Sequence, residues 1–301
     1  MNKIKKAGIQ LSLLLITILA GTLQGQAQLN PLSSQYFLNR YLANPAMAGI
    51  QRGLNTNLAV RQQWSTVQGA PSAQALTGDF QVSNKVGLGL NLYNESAGLI
   101  KGTRVMGTYA YHLPLDNENE SLHFGISLGF MNQRINTEDI IGDPNDPSVA
   151  RFNERETYID GDFGAAYTSN RLSVEAAMPN LKSFFDTDQN NTVDRSTFYT
   201  AASYKLDLGD GGKTGTIEPK VAYRGVKGYD NLVDAGANLI LLNNQLMFTG
   251  MYHSSKSATF GLGFNFHTLF IQGTYTTETA ALRGYTNGDF ELGLKYRYIK
   301  K

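Results

Sequence analysis

His112 and His123 are the first residues whose types and spacing suggest chemistry, because two imidazoles brought face to face can share a metal ion. They stand on the same register of neighbouring strand-like segments and fall opposite each other if the hairpin between them centres between Asn117 and Glu118. A metal needs a third and a fourth ligand, and no H-x-x-x-H spacing or adjacent carboxylate motif supplies them. The pair therefore reads as a structural contact near one rim. His253 and His267 fall in or beside turns. Asp186 to Asp194 offers a second chemistry, with oxygen-bearing side chains at positions 1, 3, 5 and 9 of an EF-hand-like loop. Asn191 stands at position 6, where Gly is usual, and Thr197 at position 12, where a bidentate Glu closes such sites. A solvated polar loop is the expected state. No nucleophile has a base at readable spacing, and strand serines with four histidines do not make a triad. The expectation is a noncatalytic protein with no metal and no cofactor.

The elements that position these residues follow from composition. The 301 residues include 31 Gly, 16 Tyr, 15 Phe and no Cys, and only 17% are charged. Soluble domains carry about 25% charge, so a solvated charged surface is disfavoured. Without cysteine, disulfide scaffolds, zinc ribbons, thiol nucleophiles and a lipidated N-terminal cysteine are excluded. With 26 basic and 25 acidic residues there is no basic excess to recruit nucleic acid.

Residues 1–27 read as a secretory signal peptide. Lys3, Lys5 and Lys6 precede an apolar stretch from Ile9 to Ala20, and Gly25-Gln26-Ala27 supplies small residues for cleavage. A chain starting at Gln28 keeps 23 basic and 25 acidic residues, a formal charge of −2. Beyond Ala27 no 18-residue apolar run occurs, so a membrane location requires a closed sheet, which pairs every backbone polar group within the protein.

Period-2 patterning predicts that sheet. Val86, Leu88, Leu90 and Leu92 alternate with Gly87, Gly89, Asn91 and Tyr93, while Leu122, Phe124, Ile126, Leu128 and Phe130 alternate with His123, Gly125, Ser127, Gly129 and Met131. Fourteen such segments are read, at roughly 54–64, 74–82, 86–94, 103–113, 121–132, 158–167, 171–177, 198–206, 216–224, 232–241, 245–252, 258–267, 269–276 and 289–299. Short and long connections tend to alternate, with the longest at 133–157, 178–197 and 277–288. Outer-membrane barrels have short periplasmic turns and long outer loops, so these three belong outside. A soluble β-sandwich also alternates, but its strands average about five or six residues, whereas many here have the nine to eleven that a tilted membrane strand needs. Trp64, Tyr109, Tyr111, Tyr167, Tyr252, Tyr275, Tyr296 and Tyr298 mark strand ends on the apolar register, as interfacial girdles do. The predicted fold is an all-β transmembrane antiparallel barrel of about 14 strands over 54–301, embedded in outer-membrane lipid. Pro219 fits poorly, since it removes a ladder hydrogen bond inside the ninth strand.

The lumen register carries Arg61, Asp79, Arg104, Asp162, Glu175, Glu218, Lys220, Arg224, Asp234, Glu291, Lys295 and Arg297. Both signs are present, which predicts a self-pairing interior rather than the single-sign rings of a selective pore. Ahead of the first strand, residues 28–53 mix Tyr36, Phe37, Tyr41, Asn44 and Pro45 with little charge. They read as a plug in the lumen, a periplasmic contact for a partner, or packing that closes the barrel, and Asn-Pro followed by Ala and Gly favours packing around a turn. A plug suits the size, because 14 strands enclose more space than the roughly eight whose side chains fill the interior.

Ser34-Gln35-Tyr36-Phe37-Leu38-Asn39 followed by Asn44-Pro45-Ala46-Met47-Ala48-Gly49 resembles the N-terminal signature of the PorP/SprF family of Bacteroidetes membrane proteins. Later blocks resemble it in order: Arg61-Gln62-Gln63-Trp64, Gly69-Ala70-Pro71, Gly87-Leu88-Gly89-Leu90, Tyr93-Asn94, Tyr109-Ala110-Tyr111, Met178-Pro179-Asn180-Leu181 and Glu291-Leu292-Gly293-Leu294-Lys295-Tyr296. The resemblance implies an outer-membrane barrel of type IX secretion that either joins secretion-machinery proteins or holds a large secreted adhesin for gliding or adhesion. Tyr36, Phe37, Asn44, Pro45 and Gly49 are then the candidate partner contacts. The competing class is a transporter or channel for small or hydrophobic solutes. Two departures stand out: Met47 replaces an aromatic, and Ile299-Lys300-Lys301 follows the final aromatic Tyr298.

Overall fold

The computed structural model describes residues 35–115, 119–137, 147–154, 157–182, 196–209, 214–226, 231–279, 284 and 286–299. Residues 1–27, read as a signal peptide, the EF-hand-like loop at 186–194 and the last two lysines lie outside these residues.

Consecutive antiparallel neighbours make up the sheet. Its strands are β1 (Leu54–Gln63), β2 (Ser72–Ser83), β3 (Val86–Ala97), β4 (Ile100–Pro114), β5 (Ser121–Ile135), β6 (Tyr158–Thr168), β7 (Leu172–Met178), β8 (Ser196–Tyr204), β9 (Leu206–Leu208), β10 (Gly215–Val226), β11 (Leu232–Leu241), β12 (Leu246–His253), β13 (Ser257–Phe266), β14 (Leu269–Thr276) and β15 (Asp289–Tyr298). β15 pairs with β1 over ten residues, from Asp289 opposite Gln63 to Tyr298 opposite Leu54, and so closes the ring. Among the described residues no strand is left as the edge strand of an open sheet.

The ring has 14 staves, because β8 and β9 are one stave interrupted at Lys205. β8 pairs with β10 from Ser203 opposite Lys220, and β9 pairs with β10 from Leu206 opposite Ile217, in one continuous register. The gap lies beside Pro219, which has no N–H to give to the ladder. What looked like a misfit in the sequence is thus accommodated by a local break, while the other edge of β10 keeps Pro219 paired opposite Ala237.

Each stave exposes one register. Leu90 is 50% exposed, Leu128 65% and Phe130 58%, values no soluble core strand would show. The outward row is therefore the lipid face, and the inward row is polar, glycine-rich or charged. All twelve charged residues assigned to the lumen register are buried or half-buried. Tyr109, Tyr111, Tyr296 and Tyr298 face outward near the end with the tight turns, and Tyr252 and Tyr275 near the end with the long connections. These are the two girdles. Among the described residues no helix is long and apolar enough to cross a membrane.

β3, β4 and β5 run longer than the alternation predicts. The β3–β4 hairpin turns on Gly98, at φ +58, and Leu99, so the ladder continues to Ala97 opposite Ile100. A short helix, Pro147–Asn153, caps β5: Asn153 Oδ1 accepts from the Ile135 N–H at 2.7 Å, and its Nδ2 donates to the Ile135 carbonyl at 3.1 Å.

Candidate functional site: the lumenal plug

Residues 35–53 descend through the lumen. A turn at 35–38 leads to the helical turn Arg40–Ala43 and then the 3-10 turn Pro45–Met47. Both turns are capped by asparagine: Asn39 Oδ1 accepts from the Leu42 N–H at 3.3 Å, and Asn44 Oδ1 from the Ala46 N–H at 3.0 Å. Pro45 follows its cap at the first position, where its missing N–H costs nothing. The Asn-Pro dipeptide expected to form a turn does so. It lies inside the lumen, packed against the wall.

The descent can be followed by contacts with the wall. Gln35 bonds Glu291. Tyr36 donates to Asp234 Oδ2 at 2.6 Å, and Lys220 Nζ donates to the Tyr36 carbonyl at 3.0 Å. Asn39 Nδ2 donates to Thr77 Oγ1 at 2.9 Å, and the Tyr41 hydroxyl pairs with Thr108 Oγ1 at 2.6 Å. Lower down, Asn44 Nδ2 donates to the carbonyls of Ala165 (3.1 Å) and Ala176 (3.3 Å), and the Gly49 N–H donates to Asp79 Oδ2 at 3.0 Å. The partners come from β2, β4, β6, β7, β10, β11 and β15, so the plug ties opposite sides of the ring together.

The wall accommodates the plug with glycine on its inner register. A Cβ at Gly125 would overlap the backbone of Pro45 and Ala46, and one at Gly164 would press on Asn44 and Pro45. Gly125→Val is expected to displace the plug or block assembly, since an overpacked core typically costs about 1–3 kcal/mol and backbone cannot swing aside. Gel mobility of unheated against heated samples, which distinguishes folded from unfolded barrel, reads this out; wild-type mobility and unchanged melting would refute it.

Two charged clusters hold the upper lumen. Glu175 Oε1 accepts from Arg40 at 2.8 Å and from Lys220 at 3.2 Å, and Arg40 also bonds Ser173. Asp234 accepts from Arg224 Nε at 3.1 Å while its other oxygen lies 2.7 Å from His253 Nδ1, and His253 Nε2 lies 2.8 Å from Thr259 Oγ1. Tyr36 stacks on Tyr199 with centroids 5.7 Å apart. The expected self-pairing interior is present. His253, read only as a residue beside a turn, is fully buried and belongs to this cluster.

His112 and His123 face each other as the hairpin predicts, with Nδ1 atoms 2.8 Å apart. His112 Nε2 lies 3.1 Å from the Ala48 carbonyl, which can only accept, so that nitrogen carries a proton. In a neutral pair His123 Nδ1 then donates to the bare His112 Nδ1, and His123 Nε2, 2.7 Å from Thr168 Oγ1, accepts from that hydroxyl. The plug thereby fixes the tautomers. Every ring nitrogen is occupied, and among the described residues no group of three metal-ligating side chains occurs.

The Met178-Pro179-Asn180-Leu181 block turns the exit of β7 inward. Asn180, at φ +58, donates its N–H to Asp162 Oδ1 at 2.9 Å, the Leu181 N–H bonds the Gly161 carbonyl at 2.8 Å, and the Lys182 N–H bonds Asp160 Oδ1 at 3.0 Å. Asp162 also accepts from Arg104 Nη2 at 2.5 Å. The candidate contacts Tyr36, Asn44, Pro45 and Gly49 are buried and Phe37 is half-buried, and their neighbours here are the barrel wall.

A closed 14-stave ring with an aromatic-rich signature segment inside it agrees with the sequence comparison. Residues 25–296 match the family described as type IX secretion system membrane protein PorP/SprF. The chain belongs to the PorP/SprF family. No curated protein matches it. Among solved structures it is similar to the outer membrane protein Omp33 of Acinetobacter baumannii, at 8% identity and a TM-score of 0.51, over 83% of this chain and 100% of that one. It also aligns with the KdgM porin (11%, TM-score 0.40) and with a triple mutant of the Rhodopseudomonas blastica porin (11%, TM-score 0.37), each over 81% of this chain and 99% of the other. The Omp33 likeness shows the outer-membrane barrel fold. In this PorP/SprF protein, membership and fold together make the lipid-facing ring an outer-membrane one.

Proposed function

We propose that this PorP/SprF protein is a noncatalytic scaffold, holding secretion-machinery proteins or a large secreted adhesin at the outer membrane. The observation that carries this reading is the plug, whose polar groups are spent on the wall around the ring. A solute channel needs an open path, whereas a plugged barrel suits a mount for other proteins. Asp162, Glu175 and Asp234 are likewise each paired with a base rather than poised around a reacting atom. Affinity capture of a tagged copy from outer membranes of the native host, against an untagged control, tests this. Recovery of a secreted adhesin supports surface anchoring, and recovery of periplasmic or lipoprotein machinery supports the secretion role. A clean monomer sinks the scaffold and moves solute transport to first place.

A further inference from the structure

Between the plug and the wall, a cavity of about 130 Å³ lies among Tyr41, Pro45, Tyr93, Arg104, Tyr199 and Arg224. Arg224 is fully buried, yet only its Nε is engaged, by Asp234, and neither Nη1 nor Nη2 has a partner. Tyr199 is 2% exposed and its hydroxyl has no partner either, while Arg104 Nε is a further unpaired donor on the same lining. Buried donors without acceptors are costly and rare, and three residues converging on one cavity call for an acceptor from outside the chain.

We infer that this cavity is a socket for a carboxylate, supplied by a glutamate or aspartate side chain of a polypeptide that approaches from the long-loop side. The free edge of a guanidinium, Nη1 with Nη2, matches the two oxygens of a planar carboxylate, and the Tyr199 hydroxyl adds a third donor. Arg224 is already paired with Asp234 and Arg104 with Asp162, and Glu95 also lies on the lining, so it is the fork geometry rather than net charge that favours a carboxylate, and a doubly charged phosphate is disfavoured further. Size agrees, because the space is near the roughly 150 Å³ that admits a benzene-sized guest and well below the ~300 Å³ and more of drug-sized pockets. Pro179 and Asn180, just past the end of β7, lie on the lining, so the approach we infer is from that rim. The polypeptide source rests on the scaffold reading; the carboxylate chemistry does not.

The test is calorimetric titration of the full chain in detergent with N-acetyl-Ala-Glu-Ala-amide, its Gln counterpart and sodium acetate at fixed ionic strength. The Glu peptide is expected to bind at least tenfold more tightly than the Gln peptide and more tightly than acetate. Tyr199→Phe, which removes a hydroxyl with no internal partner, should weaken the Glu peptide about tenfold while keeping wild-type melting. Equal binding of Glu and Gln peptides, no binding of either, or an unchanged Tyr199→Phe would overturn the socket and leave the capture experiment standing. Acetate binding as tightly as the Glu peptide would overturn the polypeptide source.

Discussion

A chain lacking residues 35–50 but keeping residues 1–34 is expected to conduct ions in planar bilayers in steps of porin size, where the intact protein gives none. The enclosed cross-section of a 14-stave ring exceeds what inward side chains can fill, so the plug is what occupies it. With it removed, Asp79, Glu175, Asp234, Lys220 and Lys295 face water along a polar bore. Water can satisfy them, which is why the ring is expected to persist, with a lower melting temperature. Equal conductance of the intact and shortened chains would show that the plug does not seal the lumen.

Asp234→Ala should be the most damaging single substitution at the plug. One carboxylate receives Tyr36 from the plug, Arg224 from β10 and His253 from β12, all fully or almost fully buried. Removing one partner of a buried pair strands the other and typically costs about 3–5 kcal/mol. Asp234→Asn keeps the shape and should lose less. Urea unfolding in lipid vesicles measures both, and a loss under about 1 kcal/mol for the alanine variant would mean that Arg224 finds another partner.

Much of this arrangement can be read from residue order. Alternation alone separates the lipid face from the lumen, because a strand has a strict period of two and each face meets a different solvent. The opposed histidines follow from one tight hairpin. His253 shows where that reasoning stops: its partner Asp234 lies directly across the ladder, legible once the turn at 242–245 is centred, but only the fold reveals that Tyr36 arrives from almost 200 residues away. The glycines at 125 and 164 carried a sign as well. Strand glycines are costly unless something needs the space, yet nothing in sequence names Pro45 as that neighbour. Pro219 was legible as an anomaly, and its consequence, a stave split at Lys205, needed the ladder on both sides.

Gln35 and Tyr36 bond strand ends near the long connections, whereas Gly53 enters β1 at the opposite rim, so the chain traverses the lumen before it starts the wall. The last strand, β15, both zips to β1 and carries Glu291 and Lys295, which bond Gln35 and the Leu38 carbonyl. The strand that closes the ring thus also grips the plug, so the seam and the seated segment share the same two side chains.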